Sequence, residues 1–75
     1  MNNILVANVG STSLKFQLIR FPEEKSLAWG RFEKIGSQDA ILSWTCGGES
    51  GSTVEPLADY PAAIGRMIRL LTSGL

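Results

Sequence analysis

One stretch of the chain alternates between apolar and polar side chains, and this alternation limits the fold more than any other feature. Leu14, Phe16 and Leu18 fall on one side of an extended chain. Lys15 and Gln17 fall on the other side, because successive side chains of a β-strand point to opposite faces. The sequence therefore predicts a strand with one buried face, in which a one-residue slip of register would exchange the faces.

Further strand-like segments surround this stretch and are separated by short polar turns. The apolar run at residues 3–7 predicts a strand covered on both faces. The sequence GGESGS at residues 47–52 predicts a flexible loop. Trp29 and Trp44 are expected in the core, with base stacking as the alternative. The predicted strands are residues 3–7, 13–21, 26–35, 40–46 and a short fifth at 53–56.

The last part of the chain changes to a helical period and predicts one helix over residues 59–72. Asp59 is the expected N-cap, Pro61 lies in the first turn, and Ser73-Gly74 is the expected stop. The predicted apolar stripe consists of Tyr60, Ile64, Met67, Ile68 and Leu71. The fold class is thus α+β: an N-terminal β-hairpin in an antiparallel or mixed sheet of four to five strands, followed by one helix.

Composition narrows the classes of function. The chain of 75 residues allows one domain at most, and its seven basic and seven acidic residues cancel. This balance argues against binding to nucleic acid or to an anionic membrane. No apolar run approaches the length of about 20 residues that spans a bilayer. The single cysteine and the lack of a signal peptide favour the cytoplasm.

The turn between the first two predicted strands carries the candidate site. Gly10 allows a ligand to approach the backbone closely, and successive N–H groups around such a turn can bind an anion. Ser11 and Ser13 add hydroxyl donors, and Lys15 adds a cation. Asn8 brings a neutral oxygen of the kind that suits magnesium. The turn is therefore a candidate for phosphate binding, with magnesium close by.

An ordinary hairpin is the alternative for the same residues. Glycine and serine are common turn residues, and Lys15 could be the solvated side of an edge strand. The turn is neither a Walker A loop nor a dinucleotide fingerprint, because a strand and not a helix follows the glycine.

Two spaced motifs resemble one enzyme family. The segment ILVANVGSTSLKFQLI at residues 4–19 resembles the opening of acetate kinases, and LAWGRFEKIG at residues 27–36 is similar to their next characteristic segment. The later DYPAAIGRMIRLL resembles the helix that follows the small sheet of the family. The two motifs in this order are more specific than a glycine turn alone.

The resemblance implies a kinase that transfers the γ-phosphoryl group of ATP to acetate with magnesium. It also implies the start of a ribonuclease-H-like domain of the ASKHA superfamily, which includes sugar kinases, Hsp70 chaperones and actin. Residues 1–75 would be a partial N-terminal domain, with a phosphate-binding hairpin at 8–15 and a helix at about 59–72. Full-length members are expected to be homodimers that bind ATP or ADP and a short-chain carboxylate.

The resemblance also implies roles for residues of the hairpin. Asn8 would help to hold magnesium, and Lys15 would bind the ATP phosphates. Gly10, Ser11 and Ser13 would shape and line the hairpin. The family's catalytic aspartate, arginine and histidine belong to motifs that this chain lacks, so no catalytic residue is assigned and the chain alone is expected to be inactive. A truncated, proteolysed or interrupted product is the expected origin of so short a chain.

Other functions stay open on sequence grounds. Butyrate kinases share the N-x-G-S-T-S turn, whereas GRFEKIG at residues 30–36 favours an acetate or propionate kinase. Outside this class, a small sheet with one helix could be a non-catalytic interaction module, or a nucleotide-binding remnant without catalysis.

Overall fold

The structure, a computed structural model, describes residues 2–73 and consists of a five-stranded sheet with one helix. All neighbouring strands pair antiparallel, and their spatial order follows the chain order. The predicted α+β class is confirmed, with an antiparallel sheet. The elements are β1 (Asn2–Val9), β2 (Leu14–Phe21), β3 (Lys25–Glu33), β4 (Ala40–Cys46), β5 (Glu49–Glu55) and α1 (Tyr60–Ser73).

The core lies between α1 and one face of the sheet. Leu14 and Phe16 of β2 are only 1% and 3% exposed, as the alternation predicts, and Lys15 between them is exposed. The rings of Phe16 and Phe32 lie 5.8 Å apart in a tilted arrangement, which is typical of favourable aromatic pairs. Leu18 is half-buried. The other core residues include Leu42, Leu57, Ala63, Met67 and Leu70.

The helix begins where its cap is predicted but turns a different side to the sheet. The side chain of Asp59 accepts a hydrogen bond from the N–H of Ala62 at 3.0 Å, which confirms the N-cap. The predicted stop at Gly74 lies outside the described residues.

The predicted apolar stripe of the helix is wrong at two positions. Ile64 and Ile68 are 41% and 50% exposed, whereas Ala63 and Met67 are buried. Neighbouring helical residues lie about 100° apart around the axis, so the buried side is turned away from Ile64 and Ile68 toward Ala63 and Leu70, while Met67 belongs to both the predicted and the observed stripe. The small side chain of Ala63 therefore faces the sheet in place of the larger Ile64.

Strand β1 is exposed along its whole length, so its predicted cover on both faces is wrong for the chain as described. It forms the edge of the sheet and pairs only with β2. Ile4, Leu5 and Val6 are each more than 40% exposed, because no other element of residues 2–73 lies against them. Apolar character thus predicted the strand but not its surroundings.

The predicted glycine–serine loop is mostly strand. β4 covers the predicted residues, but β5 begins at Glu49, and Gly47 and Gly48 alone form the turn, with φ values of 60° and 85°. Two successive positive φ values match the type I′ turn that suits a two-residue hairpin. Gly51 pairs across from Trp44, where an added Cβ would lie 2.5 Å from the indole. The glycine therefore makes room for a half-buried tryptophan.

The third strand also differs from the prediction. It ends at Glu33 instead of residue 35, and Trp29 is 53% exposed on the face opposite to the helix. Register explains the exposure, because Trp29 lies an odd number of residues from the buried Phe32. Within residues 2–73, no helix has the length and apolar character needed to cross a membrane.

Two glycines provide opposite tests of this packing. An added Cβ at Gly30 would meet the Ser43 carbonyl and lie 2.7 Å from Cζ of Phe16, whereas at Gly65 the nearest atom is 3.9 Å away. We expect Gly30→Ala to lower the free energy of unfolding by about 1–3 kcal/mol through overpacking. Gly65→Ala should raise it by up to about 1 kcal/mol through helix propensity. Urea unfolding followed by circular dichroism measures both, and equal effects of the two changes would contradict the described packing.

Candidate functional site

The hairpin between β1 and β2 brings together the residues that the sequence singles out. Residues 10–13 form its loop, which is closed by a hydrogen bond of 2.8 Å from the Gly10 N–H to the Ser13 carbonyl. Asn8 and Lys15 lie directly opposite each other in the register of the two strands. Both are exposed, as is Ser11, while Ser13 is half-buried.

Two contacts from the body of the fold hold the carbonyl groups of this loop. The hydroxyl of Tyr60, at the start of α1, donates a hydrogen bond to the Gly10 carbonyl. The N–H of Ile35, in the β3–β4 turn, donates to the Thr12 carbonyl at 2.9 Å. The loop is therefore tied to two elements that are distant from it in sequence.

These contacts determine the direction of the amide groups in the loop. The carbonyl of one residue and the N–H of the next point in opposite directions across a trans peptide, and the peptides of this loop are trans. The N–H groups of Ser11 and Ser13 therefore point away from the elements that hold Gly10 and Thr12. Outward N–H groups beside serine hydroxyls are the donors that an oxyanion requires.

The support behind the loop is itself held by hydrogen bonds. Ile35 is buried, and the neighbouring Gly36 donates its N–H to the Leu57 carbonyl at 2.7 Å. The Leu57 N–H returns a bond of 3.1 Å to the Ser37 carbonyl. Gly36 has a φ of 98°, a value that L side chains rarely adopt. The turn and the segment before α1 thus form one hydrogen-bonded support under the hairpin.

A polar row crosses the open face of the sheet from the hairpin. Cross-strand pairing places the row in the order Asn8, Lys15, Arg31, Ser43 and Ser52. Arg31 lies opposite Lys15 and forms an ion pair of 2.8 Å with Glu33. Because like charges directly opposite each other repel, the carboxylate of Glu33 offsets the second cation. From Lys15 to Ser52 the row borders a depression of about 750 Å³ that also includes Trp29.

The groups present fit magnesium only when phosphate oxygens complete its coordination. Asn8 offers one amide oxygen beside the hairpin, and Mg²⁺ is usually bound through one or two protein groups together with phosphates and water. Among residues 2–73, no cluster of three or more His, Cys, Asp or Glu side chains could hold a metal ion. The described residues thus contain no metal cage, and Asn8 offers a single amide oxygen that fits a metal ligated mainly by phosphate and water.

A second ion pair belongs to the helix side of the sheet. Arg66 of α1 contacts Glu55 at the end of β5 at 2.7 Å, and Thr53 donates its hydroxyl to the same carboxylate. These groups tie the helix to the last strand. They take no part in the hairpin site.

Tyr60 and Ile35 were missed as parts of the site by reasoning from the sequence. Tyr60 was assigned to the apolar stripe of the helix, which accounts for its ring but not for its hydroxyl. It contacts a carbonyl 50 positions earlier in the chain. Ile35 acts through its backbone N–H, which carries no signal in the sequence.

Comparisons with known proteins agree on one family. The model of the acetokinase family matches residues 3–74. The chain is 47% identical over 73 residues to the acetate kinase of Oceanobacillus iheyensis, and 45% identical over 65 residues to an acetate kinase of Staphylococcus aureus. These matches cover 97% and 87% of this chain but only 18% and 16% of the two relatives.

Solved structures show the same arrangement. A propionate kinase from Francisella tularensis superposes with a TM-score of 0.88 at 26% identity, over 99% of this chain and 19% of that structure. The acetate kinase of Porphyromonas gingivalis also has a TM-score of 0.88, at 29% identity, over 95% and 18% of the two chains. The chain spans about a fifth of the length of these proteins.

Gly10 tests how closely the loop is packed. An added Cβ would lie 2.5 Å from Oγ of Ser13. We expect Gly10→Ala to push the Ser13 hydroxyl into another rotamer, at a cost of about 0.5–1.5 kcal/mol in the free energy of unfolding. In a Ser13→Ala background this cost should disappear, since the clashing atom is gone. Thermal unfolding of the four proteins of this cycle measures it, and a cost independent of Ser13 would argue against the described loop.

Proposed function

Because this chain belongs to the acetokinase family, we propose that it forms the N-terminal part of an enzyme that transfers the γ-phosphoryl group of ATP reversibly to acetate. The single observation that carries the proposal is the loop at residues 10–13, in which the Gly10 and Thr12 carbonyls are held by the fold and the N–H groups of Ser11 and Ser13 point outward. Residues 1–75 are proposed to be a partial N-terminal domain of the kinase, with the hairpin at 8–15 as its phosphate-handling element.

The side chain of Lys15 is proposed to bind the ATP phosphates. It is exposed on the open face of the sheet, and its neighbours Leu14 and Phe16 anchor the strand in the core. The only other cation in the polar row, Arg31, is paired with Glu33. A lysine at the base of this hairpin can therefore stabilise the negative charge on a phosphoryl group. Such stabilisation is a main requirement of phosphoryl transfer.

The loop is proposed to hold a phosphate through its backbone and hydroxyl groups. Gly10 keeps the loop narrow, because any side chain there would displace Ser13. Ser11 and Ser13 then offer hydroxyl and N–H donors on the side of the loop away from Tyr60 and Ile35. Hydrogen bonds to a charged acceptor contribute about 1.5–3 kcal/mol each.

Magnesium is proposed to enter with the nucleotide. Asn8 lies across from Lys15 and supplies an amide oxygen that can contact the metal or one of its waters. Asn8 would help to hold the metal, and the chemistry that magnesium would supply there is neutralisation of part of the phosphate charge.

Acetate is the proposed acceptor, because relatives such as those of Oceanobacillus iheyensis and Staphylococcus aureus are acetate kinases. Propionate is the second candidate, since a propionate kinase shares the fold with a TM-score of 0.88. The complete protein is proposed to be a cytoplasmic homodimer that binds ATP or ADP and a short-chain carboxylate, without nucleic acid or membrane partners.

A chimeric enzyme offers a direct test of the segment. In it, this chain replaces the 73-residue segment that it matches in the acetate kinase of Oceanobacillus iheyensis, and the parent enzyme serves as the reference. We expect the chimera to form acetyl phosphate from acetate and MgATP in a hydroxamate assay. A folded chimera without turnover would contradict the proposed function.

Within the chimera, Lys15→Ala should reduce kcat/KM for ATP by roughly two orders of magnitude, at about 1.4 kcal/mol per tenfold. The reason is the loss of a cation that stabilises the negative charge of the ATP phosphates in both the ground state and the transition state. Lys25→Ala is the matched control, because it removes an exposed cation from the far end of β3. If a well-folded Lys15→Ala enzyme keeps the kcat/KM of the unmutated chimera, Lys15 does not bind the phosphates and is only a solvated residue of the strand.

Asn8→Ala in the chimera should change the demand for metal. We expect the magnesium concentration for half-maximal rate to rise, with a smaller change in the maximal rate, because an oxygen that supports the metal is removed. The measurement is the initial rate against free magnesium at fixed MgATP. An unchanged magnesium dependence would show that Asn8 does not support the metal.

The chain alone should not phosphorylate acetate. Phosphoryl transfer needs a positioned acceptor and further stabilisation of the moving charge, and one hairpin supplies only part of this. The purified 75-residue chain with acetate and MgATP should give no more hydroxamate than a heat-treated sample. Turnover above that background would show that the hairpin and sheet are sufficient.

A further inference from the structure

We propose that Tyr60 is a positioning residue for the phosphate loop, which it orients through the hydrogen bond from its hydroxyl to the Gly10 carbonyl. The inference rests on the proposed function, because it assigns a task to the loop that is proposed to bind phosphate. In this role Tyr60 touches neither nucleotide nor metal and acts only through the loop.

The position of Tyr60 is fixed by the start of the helix and by the core. It is the first residue of α1, directly after the N-cap Asp59, whose carboxylate holds the Ala62 N–H at 3.0 Å. Its ring packs against the hydrophobic core and is half-buried. The hydroxyl is thus delivered from a helix end that cannot rotate without breaking the cap and the core packing.

The recipient of this hydrogen bond is the most adaptable point of the hairpin. Gly10 has no Cβ, so the peptide group between Gly10 and Ser11 meets little steric resistance to rotation. The Tyr60 hydroxyl fixes the carbonyl of this peptide, and through the planar trans peptide it also fixes the Ser11 N–H on the opposite side. Without the hydroxyl, the Ser11 donor would sample directions that do not meet a phosphate.

The second anchor of the loop cannot replace the first. The bond from the Ile35 N–H holds the Thr12 carbonyl and so orients the next peptide, which carries the Ser13 N–H. Each anchor therefore controls one outward donor. Loss of the tyrosine hydroxyl should weaken the contribution of Ser11 while the hairpin, its closing bond and the strand register remain.

Tyr60→Phe in the chimeric acetate kinase tests this role, because it removes the hydroxyl and keeps the ring in the core. Thr72→Val is the matched control: it removes another hydroxyl from the same helix, one that bonds the Ile68 carbonyl at 2.7 Å near the opposite end. The readouts are KM for MgATP, KM for acetate, kcat and the melting temperature. Lys15→Ala is measured in parallel.

We expect Tyr60→Phe to lower kcat/KM for ATP roughly 3- to 10-fold, the range that follows from losing one neutral hydrogen bond. KM for acetate and the melting temperature should stay close to those of the unmutated chimera, and Thr72→Val should leave kcat/KM for ATP unchanged. This combination separates positioning of the loop from a general effect on stability.

Three results would overturn the inference. They are an unchanged kcat/KM for ATP in Tyr60→Phe, an equal loss in Thr72→Val, and a loss that follows the melting temperature or appears equally in KM for acetate. If Lys15→Ala lowers kcat/KM while Tyr60→Phe does not, only the role of Tyr60 fails. If neither change has an effect, the proposed phosphate site itself fails.

Discussion

Antiparallel pairing of β2 with strands on both sides is the constraint on which the other features depend. It forces alternate side chains of β2 to opposite faces of the sheet. Leu14 and Phe16 enter the core against Phe32 and α1, and Lys15 is placed on the open face opposite Asn8. The apolar residues that stabilise the strand thereby determine where the cation lies. The strand thus fixes the face of the sheet from which the lysine side chain extends.

The loop that precedes β2 is likewise positioned by the fold, through its backbone. Its carbonyls accept hydrogen bonds from Tyr60 and Ile35, and peptide planarity then turns the N–H groups of Ser11 and Ser13 outward. Donors that are oriented before the ligand arrives avoid part of the entropic cost of binding. The helix and the β3–β4 turn, which lie far away in sequence, are thus parts of the hairpin site.

The elements that sequence reasoning predicted well are those with local signals. The alternation of β2, the span of β4 and the cap at Asp59 depend on neighbouring residues, and the structure agrees with each. The errors arose where the outcome depends on distant partners. An apolar strand such as β1 gives no information on whether anything covers it, and the helical period did not identify Ala63, rather than Ile64, as the residue facing the sheet.

The candidate site shows the same division. The candidate residues were predicted from one short stretch of the sequence, and the structure places them on one hairpin. They are Asn8, Gly10, Ser11, Ser13 and Lys15. Their roles toward nucleotide and metal stay predictions. The groups that orient the loop could not be predicted, because the Tyr60 contact spans 50 positions and the Ile35 contact uses only the backbone.

A crystal structure of the chimeric acetate kinase with magnesium and a non-hydrolysable ATP analogue would show whether the hairpin binds the phosphates. The measurement is the set of distances from the phosphate oxygens to Nζ of Lys15 and to the N–H of Ser11. We expect both donors to lie within about 3.2 Å of phosphate oxygens, with Tyr60 still bonded to Gly10. Phosphates bound elsewhere, with Lys15 in solvent, would contradict it.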